Sequence, residues 1–154
     1  MKSTIQVNVT LITPLGKTIA PMQIVYDDEN TADVICDVTY HGNTYQGRAR
    51  ENYWASAFAD LQSRFPQDVK LACCMSCRHG NMCPYGNDEQ ELFCTKDLII
   101  RSKNDMCDLF DNTDPFLDRM VRPYDGCDNF EHQSDANYTY NDYLYLLNRK
   151  SKSL

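Results

Sequence analysis

Eight cysteines stand in this chain of 154 residues, and seven of them fall between Cys73 and Cys127. From the first pair onward they read Cys74-x2-Cys77-x5-Cys83-x10-Cys94-x12-Cys107, with Cys73 just before and Cys127 twenty residues after Cys107. A two-residue spacing such as Cys74-Met75-Ser76-Cys77 lets two thiolates converge on one metal, with the intervening backbone N–H groups turned toward the sulfurs. No run of about 18 apolar residues occurs, and the opening MKSTIQVNVT alternates polar with apolar residues where a signal peptide would need an unbroken core. A cytoplasmic protein with no membrane segment is therefore expected, and there cysteines serve metals more often than disulfides. A structural zinc site takes four ligands, so one C-x2-C pair plus two distant cysteines suffices. A [4Fe-4S] cluster takes the same four thiolates. A thioredoxin-type redox pair fits less well, because Arg78-His79-Gly80-Asn81 reads as a loop rather than the start of a helix.

A second regularity bears on the ligands. Cys107-Asp108-Leu109-Phe110-Asp111 is echoed by Cys127-Asp128-Asn129-Phe130-Glu131, both reading C-D-x-F-acid. With Cys74, Cys77 and Phe93-Cys94, the first copy resembles a short module of many small bacterial proteins of unknown function and, more loosely, of the cysteine-rich small subunits of some glycyl-radical enzymes. In that module a CxxC is followed by a lone cysteine after an aromatic residue and by a closing C-[DE]-x-F-[DE]. The resemblance spans roughly a quarter of the chain. It implies Cys74, Cys77, Cys94 and Cys107 as the ligand set, around zinc or an iron–sulfur cluster. Cys83, in Asn81-Met82-Cys83-Pro84-Tyr85-Gly86, is an extra thiol and one alternate; Cys127, closing the second copy, is the other.

Four thiolates around Zn²⁺ carry a net charge of −2, which needs nearby donors or cations. Arg78, His79, Lys96, Arg101 and Lys103 are close to the ligands in sequence; charge compensation is the expected role, a phosphate-binding patch the alternative. Metal binding would also supply folding free energy on the order of 10 kcal/mol to a segment too irregular to bury much apolar surface. Cys36 alternates with Val34 and Val38 and is expected as a buried, inert thiol; Cys73 follows an apolar strand and is expected to pack, unless it stands in for Cys74.

Enzyme signatures are absent from the sequence. There is no GxxxxGK[ST], GxGxxG, GxSxG, HExxH or EF-hand loop, and Cys83-Pro84 is not followed by the cysteine a zinc deaminase needs. His41, His79 and His132 fall in separate segments, which leaves Cys83 with His79 as the nearest nucleophile pair and a turn or surface role as the plain reading of each histidine.

The elements that must position these residues follow from periodicity. Ile5, Val7, Val9 and Leu11 alternate with polar residues, the period of a strand with one buried face. Thr13-Pro14-Leu15-Gly16 turns into a second strand over Ile19 to Tyr26, where Pro21 suggests an edge or bulge. After the breaker Asp27 to Asn30, a hairpin is expected from Val34 to Tyr40 through His41-Gly42-Asn43 to Thr44–Arg48. Trp54, Phe58, Leu61 and Phe65 recur at helical spacing, with Asn52 as a cap and Pro66 as a stop, and Trp54 reads as a core anchor. A short strand over Val69 to Ala72 leads into the cysteines, and further strands are expected at Glu91–Thr95 and Leu98–Arg101. Tyr138, Tyr140, Tyr143, Leu144 and Leu147 suggest a C-terminal helix, ending in a frayed basic tail from Arg149 to Lys152. The fold class is thus α+β: an N-terminal antiparallel meander packed on one helix, a cysteine-rich, loop-rich metal-binding half, and a short C-terminal helix. It is read as a single domain, with 1–66 as the meander and helix, 67–135 as the cysteine-rich subdomain and 136–154 as the helix and tail.

Charge bounds the partners. Fifteen Lys and Arg against 22 Asp and Glu leave a net −7, which disfavours a nucleic-acid or anionic-membrane binder. Residues 105–135 hold nine acids against Arg119 and Arg122, which equals the whole excess. Such a stretch is either a solvated surface or a dock for a basic protein. The function expected is a non-enzymatic, structural-zinc protein acting by protein–protein contact, of an acidic inhibitor or immunity type. An iron–sulfur accessory subunit of a larger redox or radical enzyme is the alternative, and a zinc-dependent nucleic-acid binder is a third class that the charge disfavours.

Overall fold

The computed structural model describes residues 2–27, 33–86 and 88–152. The chain divides into two compact units, Met1–Leu71 with Asp142–Leu154, and Ala72–Asn141. Among the described residues no helix is long and apolar enough to cross a membrane.

The first unit is built on a curled antiparallel sheet. Its strands are β1 (Lys2–Thr13), β2 (Gly16–Asp27), β3 (Val34–Tyr40), β4 (Asn43–Ala49) and the short β5 (Lys70–Leu71), in the order β4-β3-β2-β1-β5. The alternation of the sequence sets which face is buried: Val9 and Leu11, then Ala20, Met22 and Ile24, then Val34, Cys36 and Val38 all point inward. Cys36 is fully buried among them, opposite Ile24 and Gly47. The β1–β2 turn is tied by Thr13, whose hydroxyl accepts the Leu15 N–H (3.1 Å) and donates to the Gly16 carbonyl (2.9 Å). In the β3–β4 hairpin His41 and Gly42 both have positive φ, as a two-residue turn matching strand twist requires. Pro21 sits inside β2, a strand with neighbours on both sides, but β3 pairs only from Met22 onward, so the proline lies where that side of β2 is open. Of the breaker between β2 and β3, Asp28, Glu29 and Asn30 lie outside the described residues.

Helix α1 (Trp54–Arg64) packs on β3 and β4 and against the C-terminal helix α4 (Tyr143–Lys152). Trp54 is fully buried and meets Tyr26 edge-on, with ring centroids 5.2 Å apart. Asn52 does not cap the helix: the cap position is Tyr53, and Asn52, at positive φ, instead accepts the Trp54 indole N–H at 2.8 Å. The large indole needs a partner for its N–H once buried, and that need outcompetes the cap. Phe65 is extended ahead of Pro66, as steric pressure from a following proline dictates. The buried Gln62 side chain then holds the returning chain, donating to the Val69 carbonyl (2.8 Å) and accepting the Leu71 N–H (2.7 Å), which seats β5 beside β1.

The C-terminal segment differs from the expected frayed tail. Helix α4 continues through Arg149 and Lys150, and the Lys150 ammonium lies 3.3 Å from the Asp60 carboxylate of α1. Asp60 also accepts the Arg48 N–H (2.9 Å) and pairs with Arg64 (3.4 Å), so one buried carboxylate joins β4, α1 and α4. The positive charge on the tail is thus a partner for an interior acid. Asp60→Ala leaves the Arg48 N–H without its acceptor and is expected to cost about 1–3 kcal/mol, read as a lowered urea midpoint. An unchanged midpoint would show that the carboxylate contributes nothing net. Tyr138 and Tyr140 are not on the helix: they precede it in the second unit, where the Tyr140 N–H donates to Asn81 (2.7 Å).

The second unit has little regular structure. A 3-10 turn (Cys74–Ser76) leads to β6 (Gly80–Asn81), β7 (Leu92–Cys94), α2 (Lys103–Asn112), the short α3 (Pro115–Asp118) and β8 (Met120–Val121), with a sheet in the order β6-β7-β8. The expected strand at Leu98–Arg101 is a loop. The Leu98 N–H closes a turn onto the Thr95 carbonyl (2.9 Å), and Arg101 donates its N–H to Asp105 (2.7 Å) in the lead-in to α2, whose cap is Ser102. Apolar residues there are not paired: Ile99 is 75% exposed. The small core is aromatic, with Phe93 of β7 meeting Phe110 and Phe116 edge-on at 4.9 and 5.0 Å.

Candidate metal centre

The knuckle from Cys73 to Gly80 is held by backbone bonds. Cys73 caps the 3-10 turn, its thiol 3.6 Å from the Ser76 hydroxyl, and the Cys77 and Gly80 N–H groups close successive turns onto Cys74 and Cys77. Cys73 is buried and spent on this cap, and burial pushes its thiol up to about 11. Gly80 has no room for a side chain, since a Cβ there would overlap the Cys74 carbonyl.

The segment 123–133 runs back along this knuckle and is stitched to it. Cys74 donates its N–H to Asp125 (2.7 Å), Met75 to Pro123 (3.0 Å) and Arg78 to Glu131 (2.8 Å), while Gln133 donates to Ser76 (3.1 Å). The buried Gln133 side chain adds bonds to the Met75 (2.8 Å) and Cys77 (3.3 Å) carbonyls, and Asn141 donates to Met75 (3.0 Å) and Gly80 (2.9 Å). Cys127 is the cysteine this segment carries past the knuckle.

Cys94 arrives from β7. Its N–H donates to the Arg119 carbonyl (2.8 Å), and the Arg119 guanidinium returns a bond to the Cys94 carbonyl (3.1 Å) while gripping Asp97 through two bonds of 2.6 and 2.9 Å. Cys74, Cys94 and Cys127 thereby line one cavity of ≈ 460 Å³ together with Lys96, Arg119 and Asp125. Cys77 is beside it, close enough to Cys94 and Cys127 to feel both thiols electrostatically. Burial first, and then the neighbouring thiols Cys73, Cys77 and Cys94 and the Asp125 carboxylate, push the Cys74 thiol far up; burial likewise raises Cys77, against the backbone N–H groups of Glu131 and His79 that point at its sulfur. The His79 N–H lies 3.5 Å from the Cys77 sulfur. Donors of this kind stabilise a metal-bound thiolate.

Cys107 stands elsewhere. It is on α2, beside Tyr85, whose hydroxyl donates to Asp111 at 2.7 Å. The two C-D-x-F-acid copies therefore do different work: in the first, Phe110 joins the aromatic core and Asp111 holds Tyr85, while in the second Glu131 pairs with Arg78 (2.8 Å) and Cys127 reaches the other thiols. Cys83 is buried, its carbonyl accepting the Gly86 N–H (3.3 Å). Of the bases expected near the ligands, Lys96 lines the thiol cavity, Arg78, His79 and Arg101 line a separate cleft, and Lys103 lies over the Tyr140 ring. Arg119, which does line the thiol cavity, carried no signal in the sequence beyond its charge.

All eight cysteines are free thiols. Among the described residues no group of three or more His, Cys, Asp or Glu side chains is drawn together tightly enough to hold a metal ion as it stands. Cys74, Cys94 and Cys127 line a space, with Cys77 beside it, and they do not close on a point. No family model, no curated protein and no solved structure matches the chain.

Proposed function

We propose that residues 72–141 form a structural metal module in which Cys74, Cys77, Cys94 and Cys127 hold Zn²⁺, in a non-enzymatic protein that works through protein–protein contact. The observation that carries this reading is that thiols from three separate segments, the knuckle, β7 and the 123–133 segment, come to one cavity, which Lys96 and Arg119 line together with Asp97, Asp118 and Asp125. Burial and the neighbouring thiols raise Cys74 and Cys77, so these two resist ionisation, and a divalent metal of soft-ligand preference would supply the positive charge that favours their thiolates. Closure onto zinc requires the thiols to draw together, since among the described residues no three stand ready to hold the ion. The surface proposed for a basic protein partner, in the manner of an inhibitor or immunity protein, is 105–135, where every acid except Asp105 is exposed.

A [4Fe-4S] cluster is the second reading, favoured by the looser arrangement around a cavity, since a cluster holds its four thiolates further apart than one zinc ion does. The protein would then be an accessory subunit of a larger redox or radical enzyme.

Elemental analysis with an absorbance spectrum, on protein purified without oxygen, tests both. One zinc per chain and no visible absorbance is the expected result; iron with matching sulfide and a broad band would move the reading to the cluster, and no metal at all would sink both. Because thiols must shed protons to bind, zinc uptake should release protons and zinc should be lost as pH falls.

A further inference from the structure

The second unit carries another cleft, of ≈ 390 Å³, built from different residues. Arg78 and His79 enter it from the loop after Cys77, Thr95 from the end of β7, Ile99 and Arg101 from the lead-in to α2, and Tyr138 from the segment that precedes α4. Its size falls within the usual range for small-ligand sites. In a chain of net −7, two arginines line the cleft and, among the described residues, no Asp or Glu does, although Glu131 reaches two of its lining residues, Arg78 at 2.8 Å and His79 at 3.9 Å. Arg78 is steadied from outside by Glu131 at 2.8 Å, which occupies one of its nitrogens and leaves further donors of the fork. The Arg101 backbone is fixed by its bond to Asp105 (2.7 Å). Thr95, Asn137 and Tyr138 add neutral polar groups, and the Leu98-Ile99-Ile100 run gives one wall an apolar surface. That run is the apolar stretch which does not join a sheet, with Ile99 exposed and no strand paired to it.

Two arginines in a concave site with an apolar wall suit one ligand chemistry, because guanidinium forks match planar and tetrahedral oxyanions bidentately. We infer that this cleft binds a small organic oxyanion, its phosphate or carboxylate held by Arg78 and Arg101 and its apolar body laid against Leu98 and Ile99. The inference stands apart from the identity of the metal, since none of the four clustered thiols lines this cleft.

Calorimetric titration of the full-length protein with phenyl phosphate, benzoate, inorganic phosphate and phenol tests it. Phenyl phosphate or benzoate should bind about tenfold more tightly than inorganic phosphate, and phenol should not bind; which of the two aromatic anions wins assigns the head group. Arg101→Gln should weaken that binding about tenfold or more, while Lys103→Gln, outside the cleft, should not change it. Near-UV circular dichroism checks that the variants fold. Should Arg101→Gln misfold, Ile99→Asp, at an exposed position, places an acid in the cleft and should abolish binding. The inference is overturned if no anion binds at up to about 10 mM, if the cleft variants bind as the parent does, or if Lys103→Gln weakens binding as much as Arg101→Gln.

Discussion

Cys127→Ser is expected to empty the proposed metal centre, whereas Cys107→Ser is expected to leave it loaded. Both cysteines close a C-D-x-F-acid motif, so the pair separates an argument from sequence pattern from one based on position in space. The returning segment 123–133 is bonded to the knuckle at Cys74, Met75, Ser76 and Arg78, and it brings Cys127 near Cys74, Cys77 and Cys94. Cys107 lies on α2 beside Tyr85. A serine in place of a thiolate ligand forfeits much of a metal-binding free energy on the order of 10 kcal/mol, on which a unit with so little regular structure would depend. The readout divides along the two units. Trp54 is the single tryptophan and lies buried in the first, so its emission reports that unit alone, and the metal-to-protein ratio reports the second. Cys127→Ser should lose the metal while Trp54 emission stays that of a buried indole. Retention of full metal by Cys127→Ser, with loss in Cys107→Ser, would refute the assignment of the fourth ligand.

Gly47→Ala should produce the converse pattern, a destabilised first unit with the metal retained. Gly47 is the point where β4 touches α1: a Cβ there would overlap the Ala57 carbonyl and fall 2.6 Å from the Leu61 Cβ. These are atoms of a helix packed over the sheet, two of the three closest being backbone, so no rotamer change relieves the clash and the helix itself must move. Overpacking of this kind costs about 1–3 kcal/mol, and the rigidity of the obstacle places Gly47→Ala at the upper end. Urea unfolding followed by Trp54 emission measures it. Gly42→Asn is the control, because at its positive φ asparagine is tolerated and nothing lies within reach of a Cβ. A midpoint for Gly47→Ala equal to that of the control would mean that α1 is free to shift from β4.

The first unit was legible because its information is local. Period-two alternation in β1 to β3 specified the buried face, and Thr13 to Gly16 and His41-Gly42 specified turns whose chemistry is complete within four residues. Asn52 shows where that logic stops: its position in the sequence predicts a cap, but a buried indole two residues on is the stronger claimant. Leu98 to Arg101 shows the same limit, since an apolar run without a partner strand remains a loop. The sequence predicts a frayed, solvated tail because chain ends are seldom tied down; Lys150 finds its partner, Asp60, 90 residues away.

The cysteine count, the C-x2-C knuckle, the alternation that makes Cys36 a core residue and the acid excess in 105–135 were determined by the sequence by itself. Tertiary structure decided which thiols share a cavity, Cys74, Cys94 and Cys127 with Cys77 beside them. Two motifs with the same pattern cannot be ranked by spacing, because a loop of twelve or thirty residues closes at nearly the same entropic cost. What separates them is long-range hydrogen bonding, from Asp125, Glu131 and Gln133 to a knuckle some fifty residues earlier, and the aromatic packing of Phe110 that commits the first copy to α2. Arg78 and Arg101, on segments well apart in the sequence, likewise come to one cleft only in the folded unit.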